Sequence, residues 1–588
     1  MKALKRIFTL ILFASILHTT SFAQEVSTYF SHIVQRGESL YGISIMYGVS
    51  QDEIIRLNPG CQDKLYAGES IRIPQTKEGR NVVFHTIQPG ETLYRLTVKY
   101  NTSAKMICTA NPGLSAETFR IGKVIRVPLN APAETAAQST TGKEGDSQSS
   151  VKQAVKPKCN EMHKVKRRET IFSISRLYKI SEKELIAANP ELKTQELKKG
   201  QWLCIPAATK KERPTVTPRP ERQPTDKELF ESVGNDKQHL QQIRAAVMLP
   251  FTHDKRMVEY YEGILIAVDS LKRTGTSVEL FVYDTDSPGR TIDNLLSNSE
   301  MESMHLIIGP SKGNEIEKVA KFASKHKIRL VIPFSSKEEE VFYNPYVYLV
   351  NTPQSYIYSE VYDHFFRQFK NMNIVFLESK EKNDKKDFIS GLKNELSNRH
   401  IAYKSLYDTS SYTELDAVTD TTINNIFIPT TGNSISLTRV VPQLAQLTRL
   451  HPTAEIHMFG YPEWQTYTID YLDSFFGLDT YFYSSFYTNN LLPAAKNFIS
   501  QYRKWYSKEM AMSYPRYGML GFDTAYFFLK GLSIYGTDLE NNLDKMSLKP
   551  IQTGFKFERV NNWGGFINKK VFFVNFSKNY ELIKMDFE

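Results

Sequence analysis

Cysteine is scarce and confined to one part of this chain. There are four in 588 residues, Cys61, Cys108, Cys159 and Cys204, and none after residue 204. They form no C-x-x-C pair and no zinc-ligand spacing, which excludes a zinc ribbon and thioredoxin-like redox chemistry. H-E-x-x-H is also missing, which removes the commonest metalloprotease signature, and no cofactor motif takes its place. After the N-terminus no apolar run approaches the roughly 20 residues that span a bilayer, so no membrane span is expected. Lysine and arginine give a net charge of +10 but form no run interleaved with aromatics. Nucleic acid is therefore not an expected partner.

The one long apolar segment is at the start. Lys2, Lys5 and Arg6 precede the apolar stretch Ile7 to Ile16, and Ser21-Phe22-Ala23 is a small-x-small cleavage site before Gln24. Residues 1–23 thus read as a secretory signal peptide. There is no cysteine at the cleavage point, which points to ordinary secretion rather than lipid attachment. Removing three basic and no acidic residues leaves +7 on the mature chain. The expected location is outside the cytoplasm, in the periplasm or cell envelope, where disulfides are permitted.

Comparing the N-terminal region with itself uncovers three repeats. His32-Ile-Val-Gln-Arg-Gly-Glu-Ser-Leu-Tyr41 recurs as His85-Thr-Ile-Gln-Pro-Gly-Glu-Thr-Leu-Tyr94 and as His163-Lys-Val-Lys-Arg-Arg-Glu-Thr-Ile-Phe172. Each copy reaches an Asn-Pro 20 residues after its glutamate: Glu38 to Asn58, Glu91 to Asn111, Glu169 to Asn189. Each closes on Gly-x(5)-Pro, at Gly68 to Pro74, Gly122 to Pro128 and Gly200 to Pro206. In copy one, Phe30 to Gln35 alternates as a strand does and ends at a glycine turn. A helix starting at Glu38-Ser39 would bury Leu40, Ile43, Ile45 and Tyr47. Ser50 with Glu53 forms a capping box for a second helix, which stops before Pro59. Ser70 to Ile73 returns as a strand, giving a βααβ unit. One histidine per copy (His32, His85, His163) is explained by its strand and needs no metal.

These turns and endings resemble LysM domains, small βααβ modules that bind N-acetylglucosamine glycans such as peptidoglycan. The resemblance implies modules at residues 30–75, 82–130 and 161–207. It implies a shallow groove between the first turn and the loop before the last strand, built largely of backbone groups and a few apolar contacts. In copy one that groove would be Gly37, Glu38, Ser39 and Leu40 facing Asn58, Pro59, Leu65 and Tyr66. In copy two it would be Gly90, Glu91, Thr92 and Leu93 facing Asn111, Pro112, Phe119 and Arg120. In copy three, Glu169, Thr170 and Ile171 face Asn189, Pro190, Leu197 and Lys198, and Arg168 replaces the turn glycine, an unfavourable exchange where φ is positive. Cys159 falls just before the first strand of copy three and Cys204 in its last, and because those strands pair in this fold, the resemblance implies a disulfide between them.

Residues 131–158, rich in Ala, Thr, Ser, Gln and Lys, read as a flexible linker. Residues 208–228, with Pro214, Pro218, Pro220 and Pro224, read as a stiffer one. The expected arrangement is beads on a string, then one large domain. From residue 243 to 588, β-branched runs alternate with amphipathic helices, the signature of an α/β domain with parallel sheets. Strands are expected at Arg244 to Leu249, Val278 to Tyr283, His305 to Ile308, Arg329 to Ile332, Asn373 to Leu377, Asn425 to Ile428 and Glu455 to Phe459. Helices are expected at Val258 to Lys272, Glu315 to Ser324, Ser434 to Leu447 (interrupted by Pro442) and Ala494 to Lys508.

Several segments of this domain resemble the type I periplasmic-binding-protein fold, as in branched-chain amino-acid receptors and penicillin-binding-protein activators. They are Ala245-Ala-Val-Met-Leu-Pro-Phe251, Tyr261-Glu-Gly263, Ile307-Ile-Gly-Pro310, Leu330-Val-Ile-Pro-Phe-Ser-Ser336 and Gly521-Phe-Asp523. The resemblance implies two lobes around a cleft faced by Pro310, Ser311, Ser335, Ser336 and Tyr483. No amino-acid clamp is evident, since Lys337 and three glutamates follow Ser336. Gly309-Pro-Ser311-Lys-Gly313 also satisfies the G-x-S-x-G pattern of serine hydrolases, with His457 as the last available histidine. No Gly-rich oxyanion segment supports that chemistry, no carboxylate pair can be picked out for a glycan hydrolase, and the chain is read as non-enzymatic. The expected function is peptidoglycan binding combined with a two-lobed domain that contacts cell-wall synthesis or envelope proteins. The alternative is a wall-tethered receptor for a small solute such as an amino acid or muropeptide, and a less favoured one is a wall or ester hydrolase using Ser311.

Overall fold

The computed structural model describes residues 29–62, 65–75, 82–129, 159–166, 169–178, 180–193, 197–206, 223–233, 239–380 and 383–587. The signal-peptide segment and most of both linkers lie outside them. The chain divides into two compact units, residues 1–131 with 224–588, and residues 132–223. Copies one and two share a unit with the large domain, and copy three forms the other.

Each copy is the expected βααβ module. Copy one runs β1 (Tyr29–Ile33), α1 (Leu40–Tyr47), α2 (Gln51–Leu57) and β2 (Ser70–Pro74). Copy two runs β3 (Val82–Thr86), α3 (Leu93–Lys99), α4 (Ala104–Ala110) and β4 (Val124–Pro128). Copy three runs β5 (Cys159–Lys164), α5 (Ile171–Leu177), α6 (Glu182–Ala188) and β6 (Trp202–Pro206). Strand alternation sets the register. Phe30 and His32 pair with Ile73 and Ile71 on the inner face, while the residues between them face outward. The Ser/Thr of each repeated turn is a helix cap: Ser39, Thr92 and Thr170 accept from the backbone N–H of Gly42, Arg95 and Ser173. Such a cap is worth about 1 kcal/mol. The Ser50–Glu53 capping box is present too. After copy three, starting at the end of the expected spacer and running beyond it, Asp226–Val233 forms a helix, α7.

The large domain opens with β7 (Ile243–Leu249), α8 (Lys255–Lys272), β8 (Val278–Asp284), α9 (Ile292–Leu296), β9 (Leu306–Ile308), α10 (Gly313–His326), β10 (Arg329–Ile332) and β11 (Val347–Leu349). It continues with α11 (Gln354–Gln368), β12 (Asn373–Glu378), α12 (Lys386–Asn398), β13 (Tyr403–Tyr407), α13 (Tyr412–Val418), β14 (Asn425–Pro429), α14 (Ser434–Leu450), β15 (Ile456–Gly460), α15 (Thr468–Gly477) and β16 (Thr480–Ser484). It ends with α16 (Pro493–Tyr506), α17 (Tyr517–Tyr535), β17 (Phe557–Arg559), β18 (Phe566–Asn568), β19 (Phe572–Phe576) and β20 (Leu582–Asp586).

Two seven-stranded sheets result, ordered β17-β18-β11-β10-β9-β7-β8 in lobe 1 and β13-β12-β14-β15-β16-β19-β20 in lobe 2. The chain passes between the sheets three times, after β11, β16 and β18. The expected strands are present, but the sheets are not purely parallel. The β17–β18, β16–β19 and β19–β20 pairs are antiparallel. α14 runs through Pro442 without ending.

Two of the segments behind the fold resemblance are one contact. A Cβ added at Gly263 of α8 would lie 1.8 Å from the Gly518 carbonyl oxygen, and one at Gly521 of α17 would lie 1.9 Å from that of Tyr260. The helices touch backbone to backbone, so no larger residue fits. Asp523 on α17 then accepts from the backbone N–H of Ile551, Gln552 and Thr553, fixing the segment ahead of β17. Burial pushes its carboxyl up to about 6, against the pull of those three donors.

Copies one and two are not loose beads. The turn between β17 and β18 carries Trp563, 1% exposed, into a box of aromatic rings. Its ring lies 5.9 Å from Tyr47 and 5.4 Å from Phe84, with the Arg126 guanidinium 4.8 Å above it. Asn562 beside it accepts from Gly113 N–H at 2.8 Å and donates to the Val124 carbonyl at 2.8 Å. Burying aromatic surface this fully contributes several kcal/mol, enough to hold two small modules against lobe 1.

Candidate functional site

The repeated glutamates and asparagines fix the first turn and the closing strand of each module. Glu38, Glu91 and Glu169 each accept from a strand-end backbone N–H, of Gln35, Gln88 and Lys166. Each also meets the Nε2 of its own copy's histidine, at 2.8, 2.6 and 2.8 Å. A carboxylate only accepts, so Nε2 carries the proton, and in the neutral ring Nδ1 accepts from a tyrosine hydroxyl. Those tyrosines are Tyr47, Tyr100 and Tyr178. The histidines thus orient turns within separate modules. Among the described residues no group of side chains could hold a metal ion. Burial acts to raise the Glu91 carboxyl, but Gln88 N–H and His85 outweigh it and hold it below its usual range. Burial holds His85 below its own.

Asn58, Asn111 and Asn189 turn inward rather than toward a ligand. Each side-chain oxygen accepts from the middle of the closing strand, from the N–H of Arg72, Arg126 and Cys204. Each side-chain nitrogen donates back to the carbonyl of the same residue. This two-way clasp requires the constant spacing seen in the sequence. The tyrosines were a missed signal of the same kind, each 15 residues after its histidine. In copy three, Cys159 and Cys204 are joined by a disulfide with Cα atoms 5.3 Å apart. Arg168 lies outside the described residues.

At the positions where the resemblance places each groove, an apolar pair packs on the module's core: Leu40 with Leu65, Leu93 with Phe119, Ile171 with Leu197. Pro59, Pro112 and Pro190 are exposed beside them, as are Tyr66, Arg120 and Lys198. The environments differ. In copy one the turn lies on the large domain. A Cβ at Gly37 would sit 2.9 Å from the Ser355 carbonyl oxygen, and one at Gly42 would meet the Tyr356 hydroxyl at 2.8 Å. Tyr41 donates to Glu339. Arg36 reaches Asp363 on α11 at 2.9 Å and Glu395 on α12 at 2.8 Å. Ser39 remains exposed. In copy two Leu93 is 0% exposed within the module's core, and Leu229 and Phe230 of α7 pack against the same cluster. In copy three Ile171 and Leu197 stay partly exposed on their own cluster.

In the large domain the residues expected at the cleft separate. Ser311, Ser335 and Ser336 are partly exposed in the loops after β9 and β10, and Pro310 is buried. Tyr483 is 0% exposed and stacks on Phe388 inside lobe 2, with Tyr461 edge-on, so it does not face a cleft. Its position in the last parallel strand of a sheet covered on both faces explains the difference. His457 lies near the start of β15 in lobe 2, its Nδ1 2.6 Å from Asp479. Ser311 follows β9 in lobe 1, so the two belong to different sheets and form no catalytic pair.

An open cavity of ≈ 830 Å³ lies where the chain leaves β16, lined by Gln465, Asp470, Asp473, Tyr487, Asn489 and Arg516 among others. Gln552 on its wall is fixed by Asp523 and accepts from Arg516 N–H. None of the expected cleft residues lines it.

Residues 32–74, 85–128 and 163–206 match the family model described as LysM domain. Those three segments are LysM domains. The cell wall-binding protein YocH of Bacillus subtilis (strain 168) is 31% identical over 121 residues, covering 21% of this chain and 41% of that protein. The N-acetylmuramoyl-L-alanine amidase sle1 of Staphylococcus aureus (strain bovine RF122 / ET3-1) is 27% identical over 128 residues, covering 19% and 38%. The chain spans well under half the length of either. Among solved structures, an ABC transporter substrate-binding protein from Desulfitobacterium hafniense in complex with Leu aligns with 58% of this chain and 100% of its own, at 13% identity and a TM-score of 0.33. The leucine binding protein LivK of Thermotoga maritima MSB8 aligns with 58% and 97%, at 17% identity and a TM-score of 0.30. The large domain has the architecture of the type I periplasmic-binding-protein fold, two α/β lobes joined by three crossings. No helix among the described residues is long and apolar enough to cross a membrane.

Proposed function

We propose that this chain is a non-enzymatic protein of the cell envelope that binds peptidoglycan through its LysM modules and presents the two-lobed domain to envelope proteins. The observation that carries the reading is the triple recurrence of one groove scaffold, with turn glutamate, capping Ser/Thr and asparagine clasp intact in each copy. A groove of backbone groups and one apolar pair suits a repetitive, neutral sugar better than a charged ligand. The apolar start of the chain, expected to direct export, fits the same location. The test is sedimentation of residues 24–588 with purified peptidoglycan. The longer protein is needed because copies one and two rest on Trp563. Retention in the pellet is expected, and a folded protein left wholly in the supernatant excludes the reading.

A second reading, a receptor for a small polar solute, is favoured by the cavity beside β16. Its volume lies in the range of small-molecule sites, and Arg516 with Asp470 and Asp473 offers both charges for an amino acid or muropeptide. A saturating ligand at a hundredfold excess over Kd stabilises by about 2.7 kcal/mol. Thermal shifts with amino acids and muropeptides therefore separate the readings. A clear rise with one compound selects the receptor, and a flat panel selects the interaction domain.

A further inference from the structure

Helix α7 is seated on copy two by one face. Asp226, Leu229, Phe230 and Val233, spaced i, i+3, i+4 and i+7, are its half-buried residues, and its other residues are exposed. That face meets two separate segments of the module. At the first turn, the Asp226 carboxylate accepts from the backbone N–H of Leu93 at 2.8 Å. At the loop before β4, Phe230 sets its ring 6.2 Å from Phe119. Lys227 brings its ammonium near Glu117 of the same loop, whose carboxyl is held low chiefly by the Ser115 hydroxyl and in part by that lysine. Leu229 and Phe230 also join the apolar cluster of Leu93, Leu96 and Ile107.

Leu93 and Phe119 belong to the two segments between which the LysM resemblance places the glycan groove. The contacts of α7 match a sugar in kind. An acetamido carbonyl oxygen would accept from the Leu93 N–H as the Asp226 oxygen does, and the acetamido methyl and sugar face would meet Phe119 where Phe230 lies. The helix also depends on its seat. Thr225 and Glu228 cap each other's backbone N–H, at 2.8 and 3.3 Å. Even so, its eight residues fall short of the roughly 12–15 that hold a helix in water unaided.

We propose that α7 is a built-in competitor for the glycan face of copy two. An N-acetylglucosamine glycan enters that face only as α7 leaves it and unfolds. This rests on the LysM modules being the glycan-binding parts. As part of the same chain, α7 competes at a high effective concentration, so it turns away dilute fragments and yields to a polymer that presents many sugars at once. If α7 is seated about nine-tenths of the time or more, the apparent Kd of copy two rises by roughly tenfold or more.

The test uses residues 24–588 and an N-acetylglucosamine pentamer carrying a photoreactive group, with the labelled module read by mass spectrometry. Hydrogen exchange of residues 226–233 is followed in the same titration. In the parent protein these amides are expected to lose protection as labelling of residues 85–128 saturates. Asp226→Ala with Phe230→Ala is expected to lower the half-saturating concentration for that module by about tenfold or more. Replacing residues 226–233 by a Gly/Ser segment should do the same, and covers the case in which the double variant leaves the helix seated. A helix that only props copy two would, on removal, leave glycan binding unchanged or weaken it. Equal or weaker labelling of copy two in both altered proteins, or α7 amides that stay protected as the module fills, overturns the proposal and leaves the glycan-binding reading standing. Labelling confined to copies one and three in every protein does the same. No saturable labelling in any module of any protein overturns both.

Discussion

Copies one and two and copy three share one scaffold but are held together by different means. Copies one and two share a core with the large domain, closed by Trp563, Tyr47 and Phe84, and their cysteines stay free. Burial raises both thiols, Cys108 to about 11. Copy three ties its edge strands with a disulfide instead. A module of about 45 residues buries too little apolar surface to be robust alone. It gains either a neighbour or a cross-link, and this chain uses both solutions on the same fold.

The comparison can be broken most forcefully at Trp563. Trp563→Ala should cost about 3–5 kcal/mol in the larger unit, seen as a lower first transition in calorimetry. Limited proteolysis should then cut between copy two and the large domain, while copy three melts as before. A comparable loss in copy three would show that the two units are not separate. Next in size, reduction or Cys204→Ser should destabilise copy three by roughly 3–4 kcal/mol, given the 45 residues between the cysteines. The larger unit, which has no disulfide among its described residues, should not respond.

Asn111→Ala and Asn189→Ala sharpen the contrast, since both remove the same clasp. Each is expected to lose about 1–3 kcal/mol by leaving closing-strand groups unpaired. The loss should be graver in practice for copy three once its disulfide is reduced, which thermal melts with and without reductant would reveal.

The smallest effect is with pH. His85 in copy two titrates below its usual 6.5, so the unfolded chain takes up protons first as pH falls. Its contribution is whole above about 6.5 and is lost as pH falls through the folded value. Glu91, also lowered, adds a second loss below 4.5. In copy three the carboxylate Glu169 is lowered by the Lys166 N–H and His163, so loss is expected below 4.5. Melting temperatures between pH 7 and 4 should therefore decline earlier in copy two.

The modules were legible because their constraints are local. The clasp fixes the distance from turn to asparagine, and the cap fixes which residue follows the glutamate, so both repeat. The parallel strands of the large domain were legible as β-branched runs. Strands β11, β13 and β16 through β20 were not, since β11 has three residues and β17 to β20 are rich in Phe, Asn and Lys without clean alternation. The docking of copies one and two leaves no local pattern at all. Val124 and Asn562 are 438 residues apart, and a tryptophan in a turn reads as an ordinary exposed residue. α7 begins just after the last proline of the expected spacer, where no element was expected, although Thr225 and Glu228 carry a cap signature. Tyr483 was misplaced because strand order, which decides whether a strand end is open or enclosed, is invisible to residue counting.

The seating of copy one has a mechanical consequence. Its tyrosine hydroxyl holds Glu339 in lobe 1, while Arg36, five residues earlier, holds Asp363 and Glu395 in lobe 2. The module is thus a brace across the joint. A change in the angle between the lobes must shear one set of contacts or swing the module with it.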